Sequence, residues 1–143
     1  MSTANLPVPA PTVTEETREF WEGLTQSRFL LPRCDGCASW IWYPRGFCPA
    51  CGGLQTTWQE ASGRGRIYSY TVVRKSGLLG WGEVVPYVIA YVELDEGPRV
   101  MSNIVGCDPD ALTIGTPVHV VMPTNDDGQA LFRFQPDGDP PTP

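Results

Sequence analysis

Four of the five cysteines form two Cys-x-x-Cys pairs, Cys34 with Cys37 and Cys48 with Cys51, and ten residues separate the pairs. A glycine or a proline inside each pair favours a turn, so the two sulfurs of a pair can converge on one point. Four thiolates in two such knuckles suit tetrahedral zinc, and protein ligands then leave no open position for substrate, so the metal is predicted to be structural. The alternative is two disulfides, which need an oxidising compartment, and the N-terminus does not resemble a secretion signal.

The other residues with catalytic potential lack evident partners. His119, the single histidine, falls within a predicted strand without a carboxylate or thiol near it in sequence, so it is interpreted as structural. Cys107 precedes Asp108 and Asp110, an acidic setting that does not favour a thiolate nucleophile, and it is interpreted as an apolar filler. Walker-type loops, dinucleotide fingerprints and nucleophile elbows are absent from the sequence. No nucleophile and base pair can therefore be assigned, and an independent enzyme is the weaker interpretation.

The charge distribution bears on the kind of ligand. The chain has a formal net charge of -6, yet residues 28–75 hold seven cations and two anions. A local basic region on an acidic protein favours a small anionic ligand over a nucleic-acid backbone, which usually meets a broad positive face. The alternative is that these are ordinary solvated charges, since sequence alone does not show clustering in space.

Composition and periodicity divide the chain into segments. Residues 1–11 hold three prolines without a periodic apolar pattern, residues 136–143 hold four prolines and two aspartates, and both are predicted to be disordered tails. Between them the sequence predicts an N-terminal helix at 12–27, a zinc ribbon at 28–60 and a barrel domain at 61–135.

The predicted helix carries an aromatic stripe. Thr12 and Glu15 have the spacing of a capping box, and Phe20, Trp21 and Leu24 then fall on one face. So short a helix needs a surface to pack against. That surface is either its own domain or another subunit, and on the second interpretation Phe20 and Trp21 are contacts with a partner.

Large apolar side chains also crowd the predicted ribbon. A metal-bound module of this size lacks the volume to bury them all, so some are expected to be exposed or covered by a neighbour. Trp42 is the predicted partner contact among them. The alternative is a seam between the ribbon and the next domain. The set comprises Trp40, Ile41, Trp42, Tyr43 and Phe47.

The remainder of the chain predicts a small β domain. Asp108 and Pro109 are expected to start a short helical turn between the third and fourth strands, as N-cap and first helical residue. Five strands with a helix at that place match the order of an OB-fold barrel, and a small sandwich is the competing architecture. The predicted extended segments are 66–75, 84–94, 99–105, 117–122 and 130–135.

The loop at 76–83 combines two leucines and Trp81 with three glycines. It is both apolar and conformationally free, which is unusual for a loop that faces only solvent. In OB-folds this connection commonly belongs to the ligand-binding face. We expect a contact role for it; the alternative is that Trp81 folds back over an open end of the barrel.

The whole arrangement resembles the zinc-ribbon and OB-fold acyl-CoA-associated proteins once catalogued as a domain of unknown function. The resemblance covers roughly residues 14–134 and is most specific in the cysteine set followed by the barrel. It implies a non-catalytic accessory subunit that binds a thiolase-like enzyme, such as a thiolase, a hydroxymethylglutaryl-CoA synthase or a steroid side-chain aldolase. The subunit would help to bind or channel acyl-CoA, and the catalytic cysteine would belong to the partner. The matching pieces are Phe20-Trp21, the four knuckle cysteines with Pro49, Pro44-Arg45, Gly63-Arg64-Gly65, Tyr68-Ser69-Tyr70-Thr71, Pro86-Tyr87, Glu96-Gly97 and Ile114-Gly115.

Coenzyme A offers phosphates to a basic segment and an apolar chain to an apolar loop. We therefore expect Arg64, Arg66, Arg74 and Lys75 to supply charge to the phosphates. Trp81 is expected to contact the pantetheine, the acyl chain or the partner enzyme.

A single-stranded nucleic-acid-binding OB-fold protein is the alternative function, and the acidic bulk charge argues against it. The longest apolar run, residues 84–92, is less than half of the roughly 20 residues that a membrane-spanning helix needs. We therefore expect a soluble, cytoplasmic protein without a membrane segment.

Overall fold

A computed structural model describes residues 6–138 of the chain. Helix α1 (Arg18–Thr25) is followed by a two-stranded hairpin, β1 (Leu30–Cys34) and β2 (Thr56–Glu60). Five further strands are β3 (Arg64–Val73), β4 (Tyr87–Leu94), β5 (Arg99–Ile104), β6 (Pro117–Val121) and β7 (Arg133–Pro136), with a 3₁₀ turn (Pro109–Ala111) between β5 and β6. None of these helices has the length and apolar character that crossing a membrane requires.

The five later strands close into a barrel in the order β3-β4-β5-β7-β6. All neighbours pair antiparallel except β5 and β7, which meet in parallel at Ile104 and Phe134. Asp108 caps the 3₁₀ turn, since its side chain accepts a hydrogen bond from the Asp110 N–H. The predicted fold class, a mainly β chain with a zinc ribbon and a five-stranded OB-fold barrel, is confirmed.

The helix is shorter than its sequence pattern predicted. It begins at Arg18 with Thr17 as the N-cap, and the predicted capping box at Thr12 and Glu15 is wrong. The physical reason is a preceding turn: the Thr17 hydroxyl accepts from the Thr14 N–H at 2.9 Å, while the Thr17 N–H donates to the Thr14 carbonyl at 3.2 Å. These bonds hold the chain out of helical geometry up to residue 17.

An aromatic cluster joins the helix, the ribbon and the barrel. Phe20 is fully buried, and its ring lies edge-on to Trp42 and to Phe132, with centroids 5.3 and 5.5 Å away. Trp21 is 8% exposed and donates a hydrogen bond from its indole nitrogen to the Tyr43 hydroxyl. The helix therefore packs on its own chain, which is the commoner fate of such an apolar stripe.

The N-terminal segment at 6–11, the N-terminal strap, lies against the barrel, unlike the disordered tail expected there. Leu6 is buried, and the carbonyls of Leu6 and Pro7 both accept hydrogen bonds from Arg133 on β7. At the other end, the Asp137 N–H donates to the Pro117 carbonyl. The predicted tail segments 1–5 and 139–143 lie outside the described residues.

Candidate functional site: a metal centre and an apolar pocket

The ribbon brings the four knuckle cysteines together. Their sulfur atoms all lie within 4.8 Å of one another, and the Cys34–Cys51 and Cys37–Cys48 Sγ distances are both 3.6 Å. A tetrahedral zinc ion with Zn–S bonds of about 2.3 Å separates its sulfurs by about 3.8 Å, so the donor set fits the metal. A disulfide needs about 2.05 Å, well below the observed separations. The predicted structural zinc cofactor is confirmed.

Backbone groups of the knuckles support thiolate ligands. The Cys37 N–H points to the Cys34 sulfur at 3.5 Å, and the Gly53 N–H points to the Cys51 sulfur at 3.4 Å. Hydrogen bonding with Ser39 lowers the pKa of Cys37 to about 6. The Gly53 N–H lowers the pKa of Cys51, but the three neighbouring sulfurs outweigh it and raise that pKa to about 12. Four thiolates this close repel one another, so a bound cation would be needed to keep all four deprotonated.

The metal centre has a small apolar core of its own. Ile41 is fully buried and clusters only with Cys34 and Cys48 among the buried residues that the structure describes. Such a core is too small to hold a ribbon by itself, so the metal contributes directly to folding of this module. With four protein ligands, the metal would organise the ribbon and take no part in substrate chemistry.

The predicted coenzyme A cations do not form one cluster. Arg64 and Arg66 lie at the start of β3, whereas Arg74 and Lys75 follow its end, on the order of 30 Å away for an extended strand of this length. Arg74 pairs with Asp110 at 2.7 Å, and Arg66 donates to the Gly115 carbonyl at 3.1 Å. A single phosphate group cannot reach both ends of the strand, so the two pairs could contact only separate phosphates, and their role in binding coenzyme A stays a prediction.

Phe20 and Trp21, predicted as partner contacts, are buried on their own chain, so they offer little or no surface to a partner. Trp42 is partly buried and packs on the same cluster. The sequence pattern could not separate a seam between domains from an interface with another subunit, because both bury the same aromatic face.

His119 does have a carboxylate partner, contrary to the sequence interpretation. Its Nδ1 lies 2.7 Å from Asp137 Oδ1, and Arg64 Nη1 lies 3.6 Å from the other oxygen of that carboxylate. Asp137 had been assigned to a disordered tail, which is why the pair was missed. The cluster is partly exposed and attaches the end of β7 to β6.

Cys107, by contrast, is half-buried, and desolvation followed by the charge of Asp108 raises the pKa of its thiol. This agrees with an inert filler.

Trp81 lines a cavity, and its predicted contact with a ligand stays a prediction. Its ring packs on Tyr87 with centroids 4.9 Å apart, and both rings line a cavity of about 350 Å³ on the outside of the barrel. The volume falls at the lower end of the range for small-molecule sites. Sequence analysis missed Arg133 in this cavity, because a cation between two phenylalanines in a short strand gave no signal of its own. The lining consists of Pro9, Leu78, Trp81, Tyr87, Ile89, Met101, Ser102, Asn103, Leu131, Phe132 and Arg133.

An uncharged surface continues from this cavity along the barrel. Two cross-strand rows lie side by side on the outer face of β3, β4 and β5: Ser69, Tyr91 and Met101 form one, and Thr71, Ile89 and Asn103 form the other. Tyr91 is 49% and Met101 56% exposed, and in the adjoining loop Leu79 is fully exposed. We call these two rows together with Leu78, Leu79 and Trp81 the outer apolar face.

Comparisons with known proteins agree with this architecture. Residues 21–57 match the family model described as the ChsH2 rubredoxin-like zinc ribbon domain, and residues 58–122 match that of the ChsH2 C-terminal OB-fold domain. The chain is 37% identical over 128 residues to a DUF35 domain-containing scaffold protein of Methanothermobacter thermautotrophicus, covering 84% of this chain and 94% of that protein.

A probable enoyl-CoA hydratase alpha subunit of Thermomonospora curvata is 36% identical over 128 residues. The match covers 90% of this chain but spans only 40% of that relative's length. Among solved structures, the Ltp2-ChsH2(DUF35) aldolase superposes with a TM-score of 0.78 at 34% identity, covering 88% of this chain and 98% of the matched one. The chain therefore belongs to the DUF35/ChsH2 family, in which a rubredoxin-like zinc ribbon precedes an OB-fold domain.

Proposed function

We propose that this chain is a non-catalytic accessory subunit that docks on a thiolase-like enzyme and helps to bind its acyl-CoA substrate. The observation that carries the proposal is the outer apolar face, whose exposed side chains adjoin a pocket large enough for a small ligand. Exposed apolar surface rimmed by polar residues is typical of protein interfaces and ligand grooves. Relatives named scaffold protein, and a similar chain that forms part of an aldolase, support the same function.

The described residues supply no catalytic group to this face. Its polar members are neutral, and Asn103 among them donates to the Val88 carbonyl; in the adjoining pocket Ser102 donates to the Phe132 carbonyl. A nucleophile requires an activating base within hydrogen-bond reach, and none is present on this face among residues 6–138. The partner enzyme would therefore perform the chemistry, and this chain would position the acyl-CoA.

The acyl-CoA proposal keeps Trp81 and Lys75 as contacts of one ligand, and Arg64 and Arg66 lie too far from Lys75 to share a phosphate group with it. Trp81 lines the pocket, and Lys75 lies just before the loop that carries it. Single-stranded nucleic-acid binding is less well supported, because the cross-strand rows at the centre of the outer apolar face carry no cation to follow a phosphate backbone.

Co-purification with a thiolase-like enzyme from the same genome tests the proposal. Tagged wild-type chain should retain that enzyme, and Leu79→Asp should weaken the complex by about tenfold or more, because it places a charge in an apolar contact. Ile114→Asp is the matched control, since Ile114 is 70% exposed but lies outside the outer apolar face. Retention of the enzyme by Leu79→Asp at wild-type affinity would exclude this face as the interface. Failure of the wild type to bind any thiolase-like enzyme would refute the proposed function.

A further inference from the structure

The pocket beside Trp81 has a single charged residue in its lining, Arg133, among walls that are otherwise apolar or neutral. The N-terminal strap forms one edge through Pro9, and the loop at 76–83 forms another through Leu78 and Trp81. Strap and loop also meet each other, because a Cβ atom added to Gly80 would lie only 3.7 Å from Pro7 Cγ. We call this cavity the strap pocket.

Arg133 is 5% exposed, a rare position for a guanidinium that has no acidic partner. Its terminal nitrogens donate to the carbonyls of Leu6 and Pro7, and no carboxylate of residues 6–138 lies within ion-pair distance of it. Burial lowers the pKa of the Arg133 guanidinium, because removing its charge from water is unfavourable. Carbonyl dipoles compensate a buried cation only in part.

The neutral polar neighbours cannot supply the missing negative charge. The Ser102 hydroxyl donates to the Phe132 carbonyl at 2.8 Å, and the Asn103 amide donates to the Val88 carbonyl at 2.9 Å. Arginine carries five N–H donors. The strap carbonyls accept hydrogen bonds from both terminal nitrogens of Arg133, and the remaining N–H groups can donate to another acceptor. The pocket therefore combines apolar walls with one cation whose counter-charge the described chain does not provide.

We infer that the strap pocket binds an apolar chain that ends in one negatively charged group, a carboxylate or a phosphate, which pairs with Arg133. The inference deepens the proposed function and depends on it for the source of the ligand. An acyl chain with a carboxylate has this chemistry, and a pantetheine arm with its 4′-phosphate shares the terminal charge on an uncharged, amide-containing chain. The N-terminal strap covers the charged end, because it supplies the two carbonyls that hold the guanidinium.

Two pairs of probes separate charge from shape, and the full-length, zinc-loaded chain is used without any partner enzyme. Decanoate is compared with decanol, and pantetheine 4′-phosphate with pantetheine, by isothermal titration. The wild type should bind at least one anionic probe about tenfold or more tightly than its neutral counterpart, which is the discrimination expected of one charge-assisted hydrogen-bonded pair. The pair that shows the preference identifies the source of the ligand.

Arg133→Met should abolish that preference while neutral-probe binding persists, and Arg133→Lys should retain part of it. Arg28→Met is the matched control, because Arg28 is a half-exposed cation that pairs with Glu60 in the ribbon. Equal affinity of the wild type for anionic and neutral probes, or a preference that survives in Arg133→Met, would overturn the inference. The comparison of anionic with neutral probes on the wild type needs no variant. It therefore still tests the inference if Arg133→Met fails to fold.

The two proposals fail separately. A chain that binds a thiolase-like enzyme but shows no anion preference refutes only the ligand of the strap pocket. A chain that shows the preference but binds no such enzyme refutes the accessory function.

Discussion

Replacing Phe20 by alanine should strongly destabilise the isolated chain. Phe20 is completely buried, and its ring makes edge contacts with aromatic side chains from all three parts of the molecule. The nearest centroids are those of Trp21 at 4.9 Å, Trp42 at 5.3 Å and Phe132 at 5.5 Å. The substitution would leave a cavity where helix, ribbon and barrel meet.

The expected loss is about 3–5 kcal/mol of the free energy of unfolding, the range for Phe→Ala in a packed core. It includes the aromatic edge contacts, each contributing roughly 0.5–1.5 kcal/mol. A domain of this size has about 5–15 kcal/mol in total, so a large share of its stability would go. At roughly 2–4 °C per kcal/mol, the melting temperature should fall on the order of 10 °C.

Chemical denaturation of the zinc-loaded chain, followed by tryptophan fluorescence and far-ultraviolet circular dichroism, measures this loss. Phe47→Ala is the matched control, because Phe47 belongs to the ribbon but is 47% exposed and should cost less than about 1 kcal/mol. If Phe20→Ala were as stable as Phe47→Ala, the side chain would not be a packing centre. That result would support the prediction from sequence that Phe20 contacts a partner.

Three other substitutions test the ribbon, the barrel and the surface, and Gly77→Ala serves as the control for the second of them. Cys37→Ser should remove stoichiometric zinc, which elemental analysis measures. It should also abolish amide-exchange protection in the ribbon, whereas the barrel should keep its protection. Full zinc content in this variant would contradict the ligand assignment. Gly65→Ala should lower the free energy of unfolding by about 1–3 kcal/mol, because the new Cβ would lie 2.5 Å from the Glu93 carbonyl oxygen. The free energy of unfolding of Gly77→Ala should stay within about 1 kcal/mol of wild type, because its new Cβ would meet no atom within 4 Å. Urea titrations measure both glycine variants, and equal stability of the two would argue against close packing of β3 on β4. Arg74→Met should change stability by less than about 1 kcal/mol in the same titration, since both members of its ion pair with Asp110 are largely exposed, and a larger loss would assign the pair a structural role.

Local patterns were enough to predict the metal centre and the order of the barrel. The Cys-x-x-Cys spacing places two sulfurs of each knuckle within one turn, so the ligand set follows from short-range geometry. The valine-rich and aromatic segment at 84–94 likewise predicts β4 before any contact is known. Asp108 and Pro109 predict the 3₁₀ turn, because capping depends on residues within three positions of one another.

Contacts between distant segments could not be read in this way. The sequence showed that Phe20 and Trp21 form an apolar stripe, but the contacts that cover this stripe with the chain's own ribbon and barrel became visible in the fold. The position of the charges in space could not be predicted either. The sequence shows an excess of cations at residues 28–75, but the length of β3 separates Arg64 from Arg74 in the structure.

Features set by neighbours along the chain could be predicted from the sequence: the four metal ligands, the succession of five strands in the barrel domain and the Asp108 cap. The strap pocket and the His119–Asp137 pair depend instead on the folded chain. The strap pocket joins Arg133 to Leu6 across 127 positions of sequence, and the pair joins residues 18 positions apart. Such sites depend on where a closed barrel brings its ends, and that is set by packing of the whole core and leaves no trace in local spacing.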